Sequence, residues 1–117
     1  MLRDDLEITN CNVAPYAAGD ETEVSVCIGG KREAACAPNQ ALALCAILCR
    51  VALASGKFAS ELSGCQVTEE GGVCRADVCL IHSGCFFSGS GVGRDIPQAI
   101  QEAWWMAYQD TFATLSI

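Results

Sequence analysis

The stretch Val73-Cys74-Arg75-Ala76-Asp77-Val78-Cys79-Leu80-Ile81 decides the fold. On an extended chain successive side chains point to opposite faces, so Cys74, Ala76, Val78 and Leu80 share one side while Arg75 and Asp77 share the other. One face is set up for burial and one for water, as in the middle strand of a sheet covered on a single side. Turn chemistry brackets it: Glu69-Glu70-Gly71-Gly72 stands before and His82-Ser83-Gly84 after, both suited to antiparallel hairpins. Flanking strands are expected over Cys65 to Thr68 and Gly84 to about Ser88, which makes a three-stranded meander.

Downstream, Gly89-Ser90-Gly91-Val92-Gly93 runs into Arg94 and Asp95, a good N-cap with Pro97 in the first turn behind it. Ile96, Ala99, Ile100, Ala103, Trp104, Ala107 and Tyr108 recur at three- and four-residue spacing, so a helix to about Ala113 presents them as its core stripe. Gln98, Gln101, Glu102 and Gln109 form the opposite face. Trp105 lies among them and is a candidate partner anchor, because aromatic residues dominate binding hot spots.

Upstream, Glu23-Val24-Ser25-Val26-Cys27-Ile28 alternates cleanly, and Gly29-Gly30 turns it into a return strand over Lys31 to Ala35. Asp5 to Thr9 suggests a short strand, and Asn10 to Gly19 reads as loop. Gln40 to about Ser55 is rich in alanine, stops at Gly56 and contains a single charge, Arg50, so a helix apolar on every side is expected. Such a helix needs cover from more than one direction, within the chain or through a homodimer contact. The expected architecture is α+β: a two-layer sandwich of an antiparallel sheet with two helices packed on it, built as a single domain over residues 1–117.

Composition bounds the function. Fourteen Asp and Glu against seven Lys and Arg give a net charge of −7. Binding to nucleic acid or an anionic membrane depends on basic side chains displacing counterions, so neither is an expected partner. An acidic surface suits a protein partner with a basic surface, and Asp20, Glu21, Glu23, Glu69 and Glu70 join Trp105 as the partner-binding candidates. The start Met1-Leu2-Arg3-Asp4-Asp5 lacks the apolar run of a signal peptide, and the longest apolar run, Ala41 to Cys49, is far shorter than the ~20 residues of a membrane span. A cytoplasmic protein is expected.

The nine cysteines, 11, 27, 36, 45, 49, 65, 74, 79 and 85, are odd in number and include no C-x-x-C pair; His82 is the only histidine. Neither a disulfide framework nor a metal centre follows, and small packed core residues are the expectation. Catalysis is equally thinly supported. On a strand Cys79 and His82 point to opposite faces, and Glu69 and Glu70 sit exposed in a turn. No catalytic residue and no cofactor is assigned. Gly89, Gly91, Gly93 and Arg94 are candidates for a small-molecule or anion site at the helix N-terminus, the alternative reading, with clustered cysteines as its metal-binding variant.

Two resemblances attach to these residues. Residues 38–113 would run helix, three strands, helix, and Gly89-Ser90-Gly91-Val92-Gly93 followed by Ala99 and Ala103 looks like the end of a double-stranded-RNA-binding domain. Where that family implies a lysine cluster at the start of the last helix, this chain has Arg94-Asp95-Ile96-Pro97-Gln98, without the phosphate-holding residues. The same ending is similar to small phage-encoded α/β-sandwich proteins, some of which are acidic inhibitors of bacterial defence complexes. That resemblance implies a non-catalytic binder or inhibitor of phage or mobile-element origin.

Overall fold

The computed structural model describes residues 7–15, 21–54 and 61–115. Six strands and two helices follow in the order β1 (Ile8–Pro15), β2 (Thr22–Ile28), β3 (Lys31–Ala37), α1 (Gln40–Ala54), β4 (Glu61–Glu70), β5 (Val73–His82), β6 (Cys85–Gly93), α2 (Ile96–Leu115). The strands form two antiparallel sheets of three, ordered β1-β2-β3 and β4-β5-β6. The α+β sandwich is therefore as expected in class, but its strand layer is divided in two.

The division follows a repeat in the chain: βββα occurs twice. Val24, Val26 and Ile28 on β2 are buried just as Ala76, Val78 and Leu80 are on β5, the middle strand of the other sheet. Each helix opens on an equivalent cap. Asn39 Oδ1 accepts from the Leu42 amide at 2.9 Å, and Asp95 Oδ1 accepts from the Gln98 amide at 2.9 Å.

Three hairpins set the registers. Ile28 pairs with Lys31, Glu70 with Val73 and His82 with Cys85, each across a two-residue turn. Positive φ at both central residues, Gly29-Gly30, Gly71-Gly72 and Ser83-Gly84, matches the turn whose twist suits a hairpin. Arg75 and Asp77 lie on the outer face of β5 and pair at 3.7 Å, while Cys74, Ala76, Val78 and Leu80 face the helices.

α1 is buried at Ala41, Ala43, Leu44, Cys45, Ile47, Leu48 and Ala52. Much of its apolar surface is covered within the chain, since β2 and β3, β4 and α2 each pack on it, while Leu53 stays 56 % exposed. Arg50 turns outward and ties α1 to β3, donating to the Ala34 carbonyl at 2.6 Å and pairing with Glu33 at 3.2 Å. Trp104 and Tyr108 of α2 are fully buried and stack, with ring centroids 4.6 Å apart.

Three expectations need correction. β4 runs Glu61–Glu70, where a strand over Cys65 to Thr68 was expected, so Glu69 and Glu70 stand in the strand and the turn is Gly71-Gly72 alone. β1 runs Ile8–Pro15, where a strand ending at Thr9 followed by loop was expected; a register shift between Thr9 and Asn12, with Asn10 at φ 52°, breaks the alternation and hides the strand. β6 runs on to Gly93, so the glycine run is strand rather than turn. The physical reason is close approach of α2. A Cβ added at Gly89 would lie 2.3 Å from the Ala103 carbonyl oxygen, and one at Gly91 would lie 2.5 Å from the Ala103 amide nitrogen.

Candidate functional site

A polar concavity lies where β1 crosses the first turns of α2. The Ile8 amide donates to Gln101 Oε1 at 2.9 Å and anchors the strand to the helix. Beside this bond a cleft of about 560 Å³ is lined by Glu7, Thr9, Asn10 and Cys11 on one side and by Asp95, Gln98, Gln101 and Glu102 on the other. Three carboxylates and three amides meet there, and no Lys, Arg or His side chain lines it. Asp95 is held by its capping bond, and Gln98 Oε1 accepts from the Arg94 amide at 2.8 Å, so the rim is fixed by the start of the helix. Burial pushes the Cys11 thiol up, partly offset by the Gln40 side-chain amide that donates to it, while the Asp95 carboxylate pushes it further up.

The other partner-binding candidates are dispersed. Glu21 is exposed just before β2, Glu69 is exposed on β4, Glu70 closes β4, and Glu23 pairs with Ala14 and Cys36 on sheet β1-β2-β3. Asp20 lies outside the described residues. Trp105 is half-buried, packed against the core with its ring 6.2 Å from that of Tyr108, so it offers a partner only part of its surface. Gly89, Gly91 and Gly93 are spaced along β6 beneath α2, and Arg94 follows them in the link to the helix. Sequence reasoning did not single out the β1–α2 cleft. Its signal was the hidden strand β1, which carries Glu7 to Cys11 to the helix face already recognised as polar.

The thiols show a second concentration. Cys45 on α1 donates to Cys65 on β4, which pushes Cys45 up and lowers Cys65. One turn along α1, Cys49 Sγ accepts from Trp104 Nε1 at 3.3 Å. Cys65 also lines a groove of about 320 Å³ with Asn39, Gln40, Val67 and Ile96. All nine cysteines are free thiols, and among the described residues no group of three or more His, Cys, Asp or Glu side chains is placed to hold a metal ion. No described helix is long and apolar enough to cross a membrane.

No protein-family model matches the chain, and no curated protein is similar to it.

Proposed function

We propose that this chain is a non-catalytic interaction domain that binds the basic surface of a protein partner. The observation that carries the reading is the β1–α2 cleft, whose three carboxylates and three amides face one another without a lining cation. Carboxylates accept bidentate hydrogen bonds from guanidinium groups, and neighbouring amides can take the remaining donors. The net charge of −7 adds long-range attraction for such a partner. A partner whose basic surface otherwise holds nucleic acid would be competitively inhibited, which is the form the reading takes for an acidic inhibitor of phage or mobile-element origin.

A capped peptide of alternating glycine and arginine is a suitable probe, because it supplies guanidinium groups without a preference for strand pairing. It is expected to shift the side-chain amide signals of Gln98 and Gln101, with an affinity that falls as salt rises. The variant Glu7→Gln/Asp95→Asn/Glu102→Gln keeps shape and capping while removing charge. At roughly 0.2–1 kcal/mol for each carboxylate of the cleft, it is expected to weaken binding about tenfold. Equal binding by wild type and variant would reject the cleft as the site.

A further inference from the structure

The sheets have four edges, and three are guarded. β1 carries a register shift and ends in Pro15. β3 begins Lys31-Arg32-Glu33, and Arg50 occupies the Ala34 carbonyl. β4 has a register shift between Leu62 and Gly64, carries Glu61, Glu69 and Glu70, and lies against α1. Bulges, proline, charge and cover are the devices by which native sheets prevent further strands from adding. β6 is covered by α2 on its inner face but has none of the devices within the strand: Cys85–Gly93 contains no charged residue and no proline, and its pairing with β5 is unbroken over nine residues.

The hairpin fixes which of its backbone groups are open. His82 and Cys85 flank a two-residue turn and so form a hydrogen-bonded pair; alternation then gives Phe87, Gly89, Gly91 and Gly93 to β5. The N–H and C=O groups of Phe86, Ser88, Ser90 and Val92 point to the free edge, and no described strand pairs with them. The side chains of these same four residues stand on the outer face, where Phe86 is 67 % and Val92 60 % exposed. On the inner face Gln98, Glu102 and Met106 rise directly above β6, at the positions where added Cβ atoms on Gly93, Gly91 and Gly89 would collide with them.

We infer that the β6 edge is a docking site for an extended strand of a partner protein, one that alternates apolar residues on its outer side with basic residues on its inner side. The apolar residues continue the Phe86 and Val92 surface, and the basic ones meet Glu102 beneath α2. Main-chain hydrogen bonds supply affinity and the alternate side chains selectivity. A second copy of this chain is disfavoured as occupant, because pairing β6 with its own mate brings two Glu102 carboxylates and two α2 helices together over the new strand pair. The inference deepens the proposed function, since it rests on a basic protein partner, but it assigns that partner a second contact, which shares Glu102 with the cleft.

The test uses the full ¹⁵N-labelled chain and a capped eight-residue peptide of alternating valine and lysine. Amide exchange at Phe86, Ser88, Ser90 and Val92 is expected to slow at least tenfold on saturation. Ser88→Pro, which removes an outward donor and leaves the β5 ladder intact, is expected to abolish that protection, and Val92→Lys to weaken binding at least fivefold should the proline variant not fold. Three results would overturn the inference: equal binding of an alternating valine and glutamate peptide, protection of these amides in the free chain that grows with its concentration, or binding that leaves them unprotected. Perturbation of the Asn10 and Gln101 side-chain amides in that last case would leave the cleft reading standing.

Discussion

Cys36 and Cys85 are both exposed thiols, but their surroundings differ. Desolvation pushes Cys36 up, and the Glu23 and Glu21 carboxylates push it further, because a thiolate beside negative charge is disfavoured. The thiolate is the reacting species in alkylation, so Glu23→Gln is expected to raise the native-state alkylation rate of Cys36 several-fold at pH 8 while leaving that of Cys85 unchanged. Peptide mapping after timed iodoacetamide exposure reads both rates, and an unchanged Cys36 rate would show that the carboxylates do not govern it. Sequence reasoning expected the cysteines to be packed core residues; Cys45 and Cys74 are buried, whereas Cys36 and Cys85 are exposed and the other five are only partly covered. It gave no sign of the Cys45–Cys65 contact, because nothing local records that residues on a helix and a later strand will meet across the core. Trp105 was legible as aromatic on a polar helix face; its partial cover by the core depends on tertiary packing.

At the scale of elements, both helices were legible because their punctuation and apolar spacing agree. α1 and α2 begin one residue after Asn39 and Asp95, the caps their side-chain bonds confirm. β6 was the harder element, since glycine has low strand propensity and three in alternate positions imitate a loop. Their alternation matches the Ala99, Ala103 and Ala107 stripe of α2: two smooth surfaces at strand and helix spacing let the backbones approach. Gly91→Ala puts a methyl carbon 2.5 Å from the Ala103 amide nitrogen, so α2 must shift. A loss of roughly 1–3 kcal/mol is expected from such overpacking. Gly64→Ala meets nothing within 4 Å and is expected to stay within about 0.5 kcal/mol of wild type. Urea unfolding of the two variants checks the contrast. Equal stabilities would mean that α2 does not depend on the glycine seat.

The molecule as a whole repeats βββα, and this was illegible in the residues because the two halves solve the same packing problem with different side chains. Val24, Val26 and Ile28 stand where Ala76, Val78 and Leu80 do, and the buried aliphatic Leu44, Ile47 and Leu48 of α1 contrast with the Trp104–Tyr108 stack of α2. Both helices share one core, so its titratable groups report on global unfolding. Burial pushes the Cys49 thiol up, only partly countered by Trp104 Nε1, and burial followed by the neighbouring Cys49 pushes Tyr108 up to about 12. The folded chain therefore holds protons that the unfolded chain releases, beginning near the ordinary thiol value of 9.0 and then the ordinary tyrosine value of 10.0. Fewer protons bound in the unfolded state make stability fall as pH rises. The contribution is complete below pH 9 and is lost progressively above it, the tyrosine part between pH 10 and about 12. Urea unfolding between pH 7 and 11 is expected to show a flat region followed by this decline, and Cys49→Ala/Tyr108→Phe should flatten the decline while lowering stability at pH 7. A decline of unchanged slope in that variant would show that Cys49 and Tyr108 do not carry it, leaving the other raised thiols, Cys45 foremost, and charge repulsion in a chain that already carries −7.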